Sequence, residues 1–390
     1  MNEPVIVSAV RSAVAKENGA LRHINPEKYG GLVLREAVNK VGIEPDKVEQ
    51  VIIGCCLTSV GCMARMALLE AGFPVSVPGL TVDRQCGSGS EAINLAAALV
   101  KSGQGEIYVA GGVESMTRMP YLMLKPTEAY QRTPPEYAPP QRYLTPSHIG
   151  DPPMGITAEN VAEKYGISRR QQDEFALASQ HKAEIAIKER RFKEQIVPVE
   201  IPQKRGEAVI FDTDEHPRFG LTIDKLQKLP AIFKKDGTVT PGNASGINDG
   251  AGAVVVMERN KAESMGIKPR VKIRSFATGA VDPHYMGMGP VPATNKALKM
   301  AGLKASDLDV IELNEAFASQ AIACINELDL DAEKVNPNGG AIALGHPIGA
   351  SLAILIVKAV YELERQQARY GLVTACCGGG QGVATIIEHG

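Results

Sequence analysis

The chain has 390 residues, 44% of them hydrophobic and 22% charged, with a formal net charge of -2. That length allows two or three domains with ample core, and the charge excludes a general polyanion binder, so any phosphate must be met by a few basic residues, helix ends or loop amides. No apolar run approaches the ~20 residues that span a bilayer, the opening MNEPVIVSAVRS lacks the regions of a signal peptide, and seven cysteines include no C-x-x-C pair. A cytoplasmic protein with reduced thiols and no structural metal site is expected.

In chain order, a strand begins at Val5, and GIEPDKVEQVIIG (42–54) places a second after a polar turn. CGSGSEAINLAAALV (86–100) reads as a tight turn opening an apolar helix, followed by the strand EIYVAGG (106–112). Residues 120–153 hold nine prolines and read as a long irregular loop, a lid or binding surface. Helices resume at Thr157 and at Ser168, where SRRQ has the form of a capping box. Lys182, Lys188, Arg190, Arg191 and Lys193 form a basic run that reads either as a solvated helix face or as a contact for a nucleotide phosphate.

The later elements repeat the earlier ones. A shift of 260 positions lays GLKASDLDVIELN (302–314) on 42–54 and HPIGASLAILIVKAV (346–360) on 86–100, and GLVTACCGGG (371–380) matches the strand after the first helix. Two similar α/β halves follow, with an inserted, partly helical segment over roughly 118–245. Reactive loops gather at the carboxyl ends of parallel strands, so equivalent loops of the two halves can meet at one cleft.

The same shift sets Cys86 on His346. A cysteine in a turn at a helix N-terminus gains from the dipole and free amides, which favour the thiolate; taken alone it reads more simply as a small buried hydrophobe. A histidine opposite it can take its proton, and Pro347 is expected as the first helical residue. Cys376 ends a buried strand, and Gly378 to Gly380 let amides point into a cleft. Cys377 should point the other way along the strand. Asn314, after the apolar strand DVIEL, reads equally as an uncharged donor for a water or carbonyl and as a turn residue bonding its own backbone.

Together DRQCGSGSEA, AGGVESM, GNASGINDGA, LNEAFA, NGGAIALGHPIGAS and CCGGGQG resemble the thiolases, in order and spacing over nearly the whole chain. The resemblance implies a duplicated five-layer α/β/α/β/α core with an inserted loop domain. Its divisions would be 1–117 plus 246–265, the loop (CoA-binding) domain 118–245, and 266–390. It implies a homodimer, often paired into a tetramer, and coenzyme A thioester chemistry with CoA as a substrate, no permanently bound cofactor and no metal. Cys86 would be the acylated nucleophile, His346 its activator, and Cys376 the acid and base toward the acetyl methyl. Asn314, through a water, and His346 would form one oxyanion hole, the amides of Cys86 and Gly378 the other. Ser245 matches a pantetheine contact, with Met154, Ala316, Phe317 and Met286 matched more loosely and Arg218 toward the nucleotide.

The implied reaction is thiolytic cleavage of a 3-oxoacyl-CoA to acyl-CoA and acetyl-CoA, or its reverse, a Claisen condensation. Pro153 before Met154 and DRQC resemble the degradative members. The alternatives are a biosynthetic acetoacetyl-CoA thiolase and a non-catalytic acyl-CoA or lipid carrier. Against the family pattern, Gly61-Cys62-Met63-Ala64-Arg65 replaces Gln-Asn-Pro-Ala-Arg, Asp83 replaces Asn, Leu352 replaces Gly, and Leu229-Pro230-Ala231 replaces Arg-Pro-Ala.

Overall fold

The computed structural model describes residues 2–58, 60–126, 130, 137–138 and 143–390. Its principal strands are β1 Pro4–Ser12, β2 Gln50–Gly54, β3 Gly79–Val82, β4 Ile107–Ser115, β5 Asn248–Glu258, β6 Val271–Ala280, β7 Val310–Leu313, β8 Tyr370–Cys377 and β9 Gln381–Glu388. The helices of eight residues or more are α1 Pro26–Asn39, α2 Met63–Glu70, α3 Ser88–Ser102, α4 Met154–Lys164, α5 Arg169–Lys188, α6 Pro290–Ala301, α7 Ala318–Glu327 and α8 Ser351–Gln366.

One mixed sheet runs β7-β8-β9-β6-β1-β5-β4-β2-β3. The duplication is visible in its pairing. β2 lies parallel between β3 and β4, as β7 lies parallel to β8 with Ile311 bridging Val335 on its other side. β4, β5 and β1 then pair antiparallel, and so do β8, β9 and β6. Among the described residues the halves pair edge to edge through Val5 with Lys272 and Ile6 with Val271, with the Arg270 amide also bonding the Ile6 carbonyl. In the second half the turn from β8 to β9 is Gly378–Gly380; at the same place in the first half stand residues 116–247.

Alternation along the strands sets the layers. Val51, Ile53, Val109 and Val255 pack with α1 and α2, whereas Ile52, Ala110 and Val254 face α3 and α8. In the second half Val373 and Ala375 meet those same two helices, while Ile311, Leu313 and Leu372 pack against α6 and α7. Helices therefore cover both outer faces and a helix pair fills the middle, giving five layers in all, α/β/α/β/α. Each fully buried branched side chain in these clusters contributes ~1.5–3 kcal/mol.

The middle pair crosses at glycine. A Cβ on Gly89 of α3 would lie 2.7 Å from the Ala353 amide nitrogen of α8, and one on Gly112 would lie 2.3 Å from the Gly349 carbonyl oxygen. Backbone contact of this closeness brings the start of one half's helix against the other's.

Helix starts differ from the sequence reading in two places. α4 begins at Met154, not Thr157, because Pro153 in extended backbone already serves as its N-cap. α8 begins at Ser351: Pro347 has ψ 86°, outside the helical range, and a short 3-10 turn Ile348–Ala350 intervenes. The capping box is present as read, with Ser168 and Gln171 bonding each other's backbone amides. The inserted segment is tied to the core: Ile196–Val197 pairs with Arg11 and Ser12 of β1, and the Arg11 guanidinium meets Asp214 at 2.7 and 2.9 Å. Of the proline-rich loop, residues 127–129, 131–136 and 139–142 lie outside the described residues. No described helix is long and apolar enough to cross a membrane.

Candidate active site

The crossing of α3 and α8 brings the two halves' loops to one point. Cys86 sits in the turn before α3, and its Sγ lies 3.3 Å from Nε2 of His346, on the turn before α8. The turn is set by Gln85, which has φ 49° and whose amide donates to Asp83 Oδ1 at 2.8 Å; Asp83 thus serves as the side-chain acceptor of the turn. Ser88 Oγ donates to the Gln85 carbonyl at 2.7 Å and accepts from the Arg84 amide at 2.8 Å.

Burial decides the resting charges. It pushes the Cys86 thiol up to about 12, against the pull of hydrogen bonds from the amides of Cys86 and Gly378, and it pushes His346 down to about 4. Desolvation thus opposes the pull toward the thiolate expected of a helix terminus and favours the neutral forms of both groups. Those two amides are nevertheless close enough to the sulfur to hold a negative charge developing beside it.

The two adjacent cysteines near the C-terminus diverge. Cys377 packs in the middle layer, with its Sγ 2.7 Å from where a Cβ on Gly87 would stand. Cys376 packs with Met286 and Ala316, against which Met154 and Phe317 also lie. Burial raises both thiols far above their ordinary range, and the nearby Cys86 sulfur adds to this. Gly379 and Gly380 have φ of 82° and 83°, and Leu144, from the end of the proline-rich loop, lies over Gly378.

Asn314 follows β7 and is 1% exposed, yet neither of its side-chain polar atoms has a hydrogen-bond partner among the described residues. It is not bonding its own backbone as a turn residue, and a buried amide left so must meet a ligand or water to avoid a cost of ~1–3 kcal/mol. Two residues on, Ala316 accepts from the Ser245 amide at 3.0 Å, and Phe317 stacks edge-on against Phe233 at 6.4 Å between ring centroids. Met154, Ala316, Phe317 and Met286 thus gather around Cys376, and Ser245 joins them only through the Ala316 carbonyl. Arg218 stands apart at the exposed surface, its amide bonded to Gln180 Oε1 at 2.8 Å. Of the basic run, Lys188 meets Glu184 at the surface, as a solvated face would have it, whereas Lys182 bonds the Val335 carbonyl and Arg191 bonds Asn338 Oδ1, both partly buried against the second half.

Three residues hold this arrangement without having been singled out in the sequence. Glu114, 0% exposed at the end of β4, accepts from the amides of Cys56 (2.9 Å), Leu57 (3.1 Å) and Gly349 (3.0 Å), stitching one half to the other. Asn248 Oδ1 accepts from the His346 amide at 2.9 Å, and its Nδ2 donates to the Ala15 carbonyl at 2.9 Å and faces His216 Nδ1 at 3.3 Å. Ser351 Oγ lies 2.6 Å from His346 Nδ1. Glu114 and Asn248 stand inside AGGVESM and GNASGINDGA, and the only signal was a polar residue in an otherwise small or apolar stretch. Among the departures, Leu352 is fully buried in the middle layer, and Cys62 caps α2 with its Sγ 3.4 Å from Thr81 Oγ1. Leu229 lies partly buried beside Leu226.

A duplicated five-layer core with a cysteine and a histidine facing each other across its seam defines an acyl-transfer class of protein. Residues 4–260 match the family model for the thiolase N-terminal domain and residues 267–389 that for the thiolase C-terminal domain. Among relatives, a beta-ketothiolase BktB of Cupriavidus necator is 48% identical over 99% of both chains. Acetyl-CoA acetyltransferases of Allochromatium vinosum and Escherichia coli are each 45% identical over 100% of both. The crystal structure of the Bacillus anthracis acetyl-CoA acetyltransferase superposes with a TM-score of 0.95 at 43% identity, covering 100% of this chain and 99% of that one. The chain belongs to the thiolase family.

Proposed function

We propose that this protein is a thiolase that cleaves 3-oxoacyl-CoA with CoA, giving acyl-CoA and acetyl-CoA through an acyl group on Cys86. The observation that carries this reading is the 3.3 Å approach of Cys86 Sγ to His346 Nε2 beside the Gly378 amide, in a chain of this family. In the forward direction Nε2 takes the thiol proton as sulfur attacks the 3-keto carbon, and the oxyanion formed accepts hydrogen bonds from a pair of the site's donors. The bond between carbons 2 and 3 then breaks. Its electron pair becomes the enolate of acetyl-CoA, which takes a proton from the Cys376 thiol. CoA next loses its thiol proton to the Cys376 thiolate, attacks the thioester and carries the acyl group away, and the proton on His346 returns to Cys86.

Asn314, with a water, and His346 form one oxyanion hole in this scheme; the amides of Cys86 and Gly378 form the other. Ser245, Met154, Ala316, Phe317 and Met286 line the pantetheine arm, with Arg218 toward the nucleotide. The thioester itself acidifies the α-carbon, so the steps ask for no metal or redox group beyond CoA as substrate. The divisions 1–117 with 246–265, 118–245 and 266–390 are supported by an insertion between two adjacent antiparallel strands, β4 and β5. A homodimer, or a pair of them, is favoured by the edge strand β3, hydrogen-bonded on one side only among the described residues, with Leu80, Val75 and Met66 exposed nearby. Seven free cysteines suit the reducing cytoplasm.

Pro153 before Met154 favours the degradative direction, with acetoacetyl-CoA among the substrates. The names of the acetyl-CoA acetyltransferase relatives favour the biosynthetic one, two acetyl-CoA condensing to acetoacetyl-CoA, as the second reading. The test is turnover of 3-oxoacyl-CoAs of increasing length with free CoA, following loss of the enolate absorbance, with Cys86→Ala as control. Cleavage of long chains supports the first reading. Cleavage of acetoacetyl-CoA alone supports the second, and no turnover would return the protein to a carrier role.

A further inference from the structure

Both central helices begin with a serine, Ser88 on α3 and Ser351 on α8, and neither hydroxyl caps its helix. Ser88 Oγ is spent on the turn that carries Cys86. Ser351, 4% exposed, has His346 Nδ1 as its hydrogen-bond partner at 2.6 Å, and no other is present among the described residues. Each hydroxyl thus supports a reactive side chain, Ser88 the turn that carries Cys86 and Ser351 the ring of His346, although the 260-position shift sets Ser351 on Glu91 and not on Ser88.

We propose that Ser351 is a positioning residue for acylation: its hydroxyl holds the Nδ1–H tautomer of His346 and so aims a free Nε2 at Cys86. The inference rests on the acyl-transfer reading of Cys86. With Nε2 accepting the thiol proton, Nδ1 carries the ring's own hydrogen and donates it to Ser351 Oγ. When sulfur bonds the substrate carbon, the S–H proton moves to Nε2 and Nδ1–H still donates to the same oxygen. A carboxylate in that place would stabilise the imidazolium before substrate binds, as partners of catalytic histidines do elsewhere.

The surroundings leave this role to the serine. Asn248 fixes the His346 backbone and not its ring, and His216, held neutral by burial, which pushes it down to about 4, lies beyond Asn248. Ser351 lines a small internal cavity with Val14, Asn314, Arg11 and Lys358. Of these charges Arg11 is paired with Asp214 and Lys358 with Glu312. Glu114 bonds the Gly349 amide below, and the Cys376 and Cys377 thiols stand on the Cys86 side. No carboxylate hydrogen-bonds the His346 ring among the described residues.

The experiment measures alkylation of Cys86 by iodoacetamide against pH, alongside steady-state kinetics, for wild type and three variants. Ser351→Asp is expected to alkylate at least ~10-fold faster at neutral pH, with its inflection moved to lower pH, while kcat falls. Ser351→Ala is expected to lose ~10–100-fold in kcat with KM little changed, a scale taken from the outer partners of metal-bound histidines. Ser351→Thr keeps the hydroxyl and should recover most of kcat. A Ser351→Ala enzyme within about twofold of wild type, or a Ser351→Asp profile superimposable on wild type, would overturn the proposal; if Ser351→Asp does not fold, the alanine and threonine pair decides. Were wild-type Cys86 alkylated without loss of activity, the acyl-transfer reading itself would fail, an outcome separate from either variant result.

Discussion

Replacing Glu114 tests whether the seam between the halves is held by one buried carboxylate. Oε2 accepts from the Cys56 and Gly349 amides, and Oε1 from the Leu57 amide and, at 3.6 Å, the Cys55 thiol. In Glu114→Gln the NH2 group must face one of these pairs, and it will take the Leu57 side, because the Cys55 sulfur can turn from donor to acceptor. One buried amide is then orphaned, costing ~1–3 kcal/mol, and the Gly349 contact survives, so turnover should drop less than ~10-fold. Glu114→Ala orphans all three amides, roughly 3–9 kcal/mol before any cavity term, a large part of the ~5–15 kcal/mol that holds a typical domain. Urea denaturation gives the first quantity and steady-state kinetics the second. A Glu114→Ala protein within about 1 kcal/mol of wild type would show that the carboxylate does not hold the seam.

Gly89→Ala puts a methyl 2.7 Å from the Ala353 amide nitrogen, which must push α3 from α8. Overpacking should cost ~1–3 kcal/mol, and lengthening the Cys86 to His346 contact should cut kcat by ~100-fold; unchanged kcat would show that the helix crossing does not set the pair. Burial raises the Glu388 carboxyl, but hydrogen bonds from Lys272, Arg274 and Arg369 outweigh this and bring it from 4.5 down to about 2. A depressed carboxylate stabilises the fold above its unfolded value and loses that contribution as pH falls. Glu388→Gln should therefore melt lower than wild type at neutral pH, with the gap closing between pH 4.5 and about 2; a gap constant down to pH 2 would contradict the assignment. Cys376→Ala should abolish turnover while leaving acylation of Cys86, whereas Cys377→Ala should lose ~2–5 kcal/mol of stability at most and keep turnover; the reverse pattern would assign the acid and base to Cys377.

Much of this was legible because it is periodic or repeated. The shift of 260 positions carried the duplication and placed Cys86 opposite His346, and the helix-capping Ser168 and Gln171 were readable from four residues. What escaped was set by contacts distant in sequence. Glu114 bonds Gly349 and Asn248 bonds His346, 235 and 98 positions away, and neither leaves a local period. Pro347 read as a helix start because proline favours that position, yet His346 must be held in a turn facing Cys86, and the helix waits until Ser351. The desolvation of the thiol escaped for a related reason: the helix terminus is local, but the burial that opposes it comes from packing the two halves together.

Acylation of Cys86 is the step on which the proposed chemistry turns. Mixing the enzyme with acetyl-CoA alone should release a burst of free CoA equal to the active sites, and peptide mass spectrometry should find one acetyl group on the peptide containing Cys86. In Cys86→Ala both signals should vanish, and in His346→Ala the burst should slow by ~100-fold or more. An acetyl group on any other residue, or a burst that survives Cys86→Ala, would contradict the account.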